Sequence, residues 1–361
     1  MCPEAVGPVS PEAVEPRPAP PPAPRSGETS AVAASPLLGS PAWRVPRWVH
    51  GRIRNFLGAT IALVILVVLL TVAESSFLTT GNLKNLLVTN ATLFIVSTGM
   101  TFVMISAGFD LSIGAMMAVS EEILYVLLKD GVPALAAIVL VLVVGFVVGT
   151  LVNGVLIGVF GVNFFVATLG TMTLFYGLVD VVTTGASQTI TSSTLASFGN
   201  GTLWGIPMPV VVVVITVALG GFILRWTPFG RSIYGTGGNR EAARLAGIPD
   251  RMVIMSVYGI AGLCGALAGV VDAGRLAAAT PTDGSSIALV SGAAVLLGGT
   301  SLFGGVGGLS GTVVGVLVIG VLGNGVNLLG VSDFWQSVVT GAVLIGAILL
   351  DRVQKRGQVL H

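Results

Sequence analysis

"PALAAIVLVLVVGFVVGTLVNGVLIG", residues 133–158, runs for 26 residues without one charged side chain. A helix needs about 20 apolar residues to cross the roughly 30 Å of hydrocarbon in a bilayer, so this stretch is long enough to span one. Working outward from it, comparable runs recur near 56–72, 86–107, 111–128, 163–183, 208–225, 252–273, 286–303, 308–329 and 334–350. Composition points the same way. Hydrophobic residues make up 53% of the 361, mean hydropathy is +0.95, and only 9% are charged, against about 25% in soluble domains. The expected fold is all-α: a polytopic membrane protein of about ten transmembrane helices. Two or three are interrupted by glycine and read as half-helices.

Outside the spans the chain changes character. Residues 1–46 hold 12 of the 18 prolines, and such a segment buries too little apolar surface to offset its ordering entropy. A disordered proline-rich tail is expected there, without the pattern of a signal peptide. The transmembrane domain is expected over 50–352 and a short second tail over 353–361. An even number of spans puts both termini on one side, and charge tests the side. Six arginines lie in 1–54, five more (Arg225, Arg231, Arg240, Arg244, Arg251) in the middle loop, and Arg352, Lys355 and Arg356 near the C-terminus. Only Lys84, Lys129 and Arg275 of the 17 basic residues fall opposite. By the positive-inside rule both termini and the middle loop are expected in the cytoplasm.

Several chemistries find no support. Cys2 and Cys264 offer no disulfide framework. His50 and His361 lie outside the spans, which excludes a histidine metal site or proton relay in the membrane. Lysine occurs only at 84, 129 and 355, never in a Gly-Lys-Ser/Thr setting, so the P-loop is missing. "GGVGGLSG" (304–311) lies between spans and reads as a tight turn rather than a phosphate cradle. No nucleophile–base arrangement occurs. Catalytic residues, a bound metal, a cofactor and a nucleic-acid partner are therefore not expected, and the chain does not read as an enzyme.

One stretch stands apart: "GGNREAARLAGIPD" (237–250) sets Arg240, Glu241, Arg244 and Asp250 among fourteen residues. Asn239 fits an N-cap, strong helix formers follow, and Gly247 fits the stop. That leaves Ala242, Ala243 and Leu245 free to enter a groove. A solvated loop obeying the charge rule would carry the same residues.

"EAARLAG" resembles the EAA-type coupling loop of ABC importer permeases. The surrounding chain is similar to the ribose/xylose-type sugar permease family at "GFDLSIGA" (108–115), "FFVATLGTMTLFYGL" (164–178), "FGRSIYGTGGNREAARLAGI" (229–248), "LLGGTSLFGGVGGLSGTVVGVLVIGVLGNGVNLLG" (296–330) and "FWQSVVTGAVLIGAILLD" (334–351). Branched-chain amino acid permeases share the glycine-rich layout at greater distance. The resemblance implies the permease subunit of an ATP-driven ABC importer for a sugar or sugar-like solute, multi-pass in the bacterial plasma (inner) membrane. It also implies partners: membrane lipid, a second permease copy forming a homodimer, an ATPase dimer that uses the ATP, and an extracytoplasmic solute-binding protein. Asn239, Arg240, Glu241, Ala242, Ala243, Arg244 and Gly247 would dock on the ATPase, with Arg240, Glu241 and Arg244 as the polar rim of that contact. The rivals are a branched-chain amino acid ABC permease, and a secondary transporter or channel with ion sites at Asp110, Asp180, Asp272 or the Glu121/Glu122 pair.

Polar residues inside the spans are costly and point to function or to helix contacts. Candidates for the substrate path are Asp110, Ser112, Phe164, Phe165, Thr168, Thr171, Asn324 and Asn327, and each also fits a packing role. Asp110 fits an N-cap of "DLSIGAMMAV" as well as a sugar contact. Glu121 and Glu122 depart from the family, which has small or apolar residues there. About 100° apart on a helix, they face different sides, near the outer interface or as selectors of a cation or amine. The family also places acidic residues where Ala288 and Val290 stand; here Asp283 lies nearby instead. Small residues every four positions in "GALAGVV" (265–271) and "GTVVGVLVIG" (311–320) suit close helix approach.

Overall fold

The computed structural model describes residues 47–331 and, beyond them, 335, 338, 341 and 342; of 47–57 it describes the helix without side chains. Both expected tails and nearly all of the span expected at 334–350 lie outside these residues. The described chain forms α1 (Arg47–Ala73), α2 (Thr80–Thr89), α3 (Ala91–Ile105), α4 (Ile113–Lys129), α5 (Ala134–Gly149), a π-helical turn (Thr150–Gly154), α6 (Val155–Gly158) and α7 (Phe164–Thr183). After these come β1 (Gln188–Thr189), α8 (Ser193–Asn200), β2 (Thr202–Leu203), β3 (Ile206–Pro207), α9 (Met208–Trp226), α10 (Pro228–Gly238) and α11 (Arg240–Leu245). The last elements are α12 (Asp250–Leu276), β4 (Ala278–Ala279), α13 (Ile287–Leu297) and α14 (Leu309–Leu328). The strands are two residues each and pair antiparallel as β1–β4 and β2–β3. They trim loops and build no sheet core, so the fold is all-α.

Among the described residues five helices are long and apolar enough to cross a membrane: Ala134–Gly158, Phe164–Thr183, Met208–Trp226, Asp250–Leu276 and Leu309–Leu328. A sixth crossing arises if α2 and α3, which meet at 45°, count as one broken span. The expected run at 286–303 is helical only to Leu297, and Gly299, at φ +83°, stands just past its end. A glycine adopts that left-handed conformation at little cost and so ends the helix early. The result is a half-length helix of the glycine-interrupted kind expected for two or three of the runs.

α12 is the axis of the molecule. Of its most apolar window 72% is buried, against 22% for α9 and 28% for α7. Glycine sets how closely its neighbours approach. A Cβ added at Gly265 would lie 2.7 Å from the Ile113 carbonyl, and one at Gly269 would lie 2.5 Å from that of Met117; α4 thus crosses α12 backbone to backbone. On another face, a Cβ at Gly145 of α5 would meet Ala266 at 2.5 Å. Gly311 and Gly315 of α14 press likewise against the backbone of Gly298 and Ala294. Without a hydrophobic drive between helices in lipid, such contact area is what holds them together. The outer helices instead expose rows of Val, Leu and Phe, including Val143 and Val147 on α5, Leu174 and Leu178 on α7, and Ile215 and Leu219 on α9. In a bilayer, lipid tails solvate those faces.

Candidate functional site

The charged stretch folds as its local signals require. Asn239 is extended (φ −158°, ψ 104°), and its Oδ1 accepts the Ala242 N–H at 2.9 Å, satisfying one of the orphan donors of a helix start. At the other end Gly247 takes φ +82°. Its N–H reaches the Arg244 carbonyl, and that of Ile248 reaches the Ala243 carbonyl, each at 3.0 Å. These two bonds are the Schellman closure. Six residues of helix are therefore fixed at both ends.

Side-chain directions differ from expectation at two positions. Arg240, expected on the outer rim, turns inward: Nε donates to Asp250 Oδ2 at 2.6 Å and Nη2 donates to the Gly158 carbonyl at 3.1 Å. The carboxylate at the start of α12 and a carbonyl at the negative end of α6 attract the guanidinium together. α11 is thus clasped to two membrane helices. Ala243, expected to enter a groove, is buried against its own chain. The free face is Glu241, Ala242, Arg244 and Leu245, with Leu245 81% exposed. Glu241 accepts from Arg244 at 3.0 Å; an exposed i,i+3 pair of this kind adds only about 0.2–0.5 kcal/mol.

Directly behind this clasp lies a cavity of about 180 Å³, whose lining includes Gly108, Asn163, Phe164, Thr236, Arg240 and Tyr258. The same arginine that holds α11 therefore borders a space between the α3–α4 connection, the start of α7 and α12.

A buried polar chain runs from there into the bundle. Asp110 Oδ1 accepts both the N–H and the hydroxyl of Ser112, at 2.9 and 2.7 Å. Asn153 Nδ2 donates to Ser112 Oγ at 2.7 Å, and Thr171 Oγ1 donates to Asn153 Oδ1 at 2.7 Å. Thr168 Oγ1 donates to the Phe164 carbonyl at 2.8 Å and lies 3.4 Å from that of Phe109. Asp110, Ser112, Thr168 and Thr171 thus converge where the α3–α4 connection, the π-helical turn and α7 meet. The N-cap position of α4 falls to Ser112, and Asp110 braces it from two residues before. Asn153 joins them although sequence reasoning passed over it. Its signal was present: it is the one amide in the apolar run 133–158, and it sits in the π-helical turn. Such turns recur at functional positions in helices.

Other candidates lie elsewhere. Asn324 exchanges amide hydrogen bonds with Asn82 at 2.9 and 3.0 Å, joining α14 to α2. Asn327 is exposed on α14. Phe164 and Phe165 meet edge to face at 6.4 Å, with Phe165 on the outer surface. Glu121 and Glu122 do point different ways, yet both are buried, because other elements enclose α4 on both sides. Glu121 Oε2 accepts the Thr280 N–H at 3.0 Å, and Asp283 and Asp272 stand beside it.

Comparison with known proteins places the chain. The family model described as branched-chain amino acid transport system / permease component matches residues 82–348. The chain is 44% identical over 298 residues to the Ribose import permease protein RbsC of Bacillus subtilis, covering 82% of this chain and 92% of that protein. It is 38% identical over 295 residues to the protein of the same name from Haemophilus influenzae, covering 81% and 91%. With the D-allose transport system permease protein AlsC of Escherichia coli it shares 37% identity over 278 residues, covering 77% and 85%. No solved structure matches it. A family match over most of the length, with relatives aligned nearly end to end, means that the chain belongs to this family of transport permeases and is a multi-pass membrane protein rather than an enzyme.

Proposed function

We propose that this chain is the membrane-spanning subunit of an ABC importer that carries a sugar or sugar-like solute across the bacterial inner membrane. The observation that carries the reading is the near full-length identity to permeases named for ribose and allose. The clasped helix α11 supports the mechanism. Two copies of the chain line one path, and an ATPase dimer in the cytoplasm grips the exposed face of Glu241, Ala242, Arg244 and Leu245. Closing of the ATPases on ATP draws the two α11 helices together. Arg240 passes that displacement to the start of α12 and the end of α6. α12 has 27 residues, about 40 Å at 1.5 Å each, so a rigid tilt at one end is felt at the other. Glycine-smoothed contacts let neighbouring helices rock against it, as alternating access requires. A solute-binding protein delivers the solute on the opposite side, where α8 packs on the end of α12 and the β2–β3 hairpin on the start of α9. Both termini lie with α11 in the cytoplasm, as the arginine distribution suggests.

The test is uptake into proteoliposomes holding the chain together with an ABC-type ATPase and a sugar-binding protein from the same organism. Labelled ribose and allose are compared with labelled leucine. ATP-dependent entry of a sugar, without leucine entry, is the expected result. Leucine entry would favour the amino acid reading, and entry without ATP a secondary transporter.

A further inference from the structure

At the end of α12 remote from α11, three carboxylates converge inside the protein. Glu121 on α4, Asp272 on α12 and Asp283 between β4 and α13 each present an oxygen, and these oxygens lie within 4.8 Å of one another. Glu121 is fully buried and Asp272 nearly so. Their partners satisfy only part of the group. Arg275 donates to Asp272 Oδ1 through Nη2 at 2.6 Å and Nε at 2.8 Å. Backbone N–H groups serve Glu121 Oε2 (from Thr280, 3.0 Å) and Asp283 Oδ1 (from Gly284, 2.9 Å). The Tyr176 hydroxyl is spent on the backbone carbonyl of Asp283, 3.0 Å away. Two buried oxygens remain with no hydrogen-bond partner: Glu121 Oε1, on a side chain wholly enclosed beside Asp283, and Asp283 Oδ2.

The charges do not balance either. One guanidinium faces three carboxylates, and Lys129, near Glu122, stands eight residues further along α4 from Glu121. A buried carboxylate without a partner is so costly that native proteins pair it, protonate it or give it a metal. Oxygens up to 4.8 Å apart suit an ion at their centre, since calcium–oxygen distances are about 2.3–2.6 Å. Purely oxygen donors select a hard cation. We propose that Glu121, Asp272 and Asp283 form a site for one divalent cation of the calcium class. By joining α4, α12 and the β4–α13 connection, the ion fixes the end of the bundle opposite the coupling helix. Nothing in the proposal depends on which solute is carried.

The test uses the full-length protein in detergent, stripped with chelator. Equilibrium dialysis with radioactive calcium is expected to find one ion per chain, and calcium to raise the unfolding temperature in a saturable way where magnesium and sodium do not. Glu121→Gln and Asp283→Asn are each expected to weaken calcium binding at least tenfold. No bound calcium on the wild-type chain overturns the proposal even if neither variant folds. So does a calcium response that both variants keep. Stabilisation by mild acid alone, reproduced at neutral pH by Glu121→Gln, would show shared protons in place of the ion. Protection by an amino sugar but not by calcium would make the occupant a solute ammonium, and would also overturn it.

Discussion

The two ends of α12 handle buried acid in opposite ways. At the first, buried Asp250 meets Arg240, whose side chain is 45% exposed, so the pair is balanced and its guanidinium reaches water. At the second, Asp272 meets Arg275, but Glu121 and Asp283 crowd in with no further cation among the described residues to offset them. The first end is a complete joint between a surface helix and two membrane helices. The second is electrostatically incomplete. On the two proposals above, force enters at the first end and a cation completes the second. Between them the middle of α12 is nearly all packing, with glycine where helices touch.

The comparison can be broken at its centre first. Gly269→Leu would drive a side chain into the Met117 carbonyl, separating α4 from α12. Loss of folded protein from the membrane fraction is the expected outcome; overpacking a tight contact costs about 1–3 kcal/mol in ordinary cores and more where backbone meets backbone. A fully stable variant would mean that the two helices are not held this closely.

Next come substitutions confined to the first end. Leu245→Asp or Glu241→Arg alters only the exposed face of α11. Uptake and solute-stimulated ATP hydrolysis should fall about a hundredfold, the effect of losing an interface anchor worth roughly 3 kcal/mol, while the unfolding temperature stays put. Arg240→Ala acts inside the joint. It leaves Asp250 without its partner, and a stability loss of about 1–2 kcal/mol is expected. ATP hydrolysis should persist in that variant while uptake declines, because the motor still docks but pulls on a loosened lever. Arg240→Lys keeps the charge and not the two-pronged reach, so it should restore stability better than coupling. Smallest of all, Arg244→Ala removes an exposed pair and should shift stability by no more than about 0.5 kcal/mol, measured by thermal unfolding.

What the sequence revealed follows from the range of each interaction. The bounds of α11 were legible because Asn239 and Gly247 act on atoms three to four residues away. The five or six crossings found among the described residues, of the ten expected, were legible because a bilayer imposes a minimum apolar length. The glycine stripes also announced helix contacts, though not which helices meet. The inward turn of Arg240 was not legible: its second partner, Gly158, is 82 residues away, and no local pattern specifies that approach. For the same reason Glu121 read as a residue near an interface, since Asp272 and Asp283 reach it only after α12 has folded against α4. Asn153 was readable in principle as a lone amide in an apolar span. Its link between Ser112 and Thr171, however, needs the π-helical turn that no residue there advertises.

The most direct measurement is site-directed labelling and crosslinking at Leu245. Leu245→Cys, in a chain whose Cys2 is replaced by Ser and whose Cys264 is buried, would be treated with a membrane-impermeant maleimide in right-side-out and inverted vesicles. It would then be crosslinked in the presence of the ATPase. The account predicts labelling only in inverted vesicles, and a crosslink to the ATPase that ATP binding alters. Labelling from the outer face, or an accessible cysteine that never crosslinks to the motor, would contradict it.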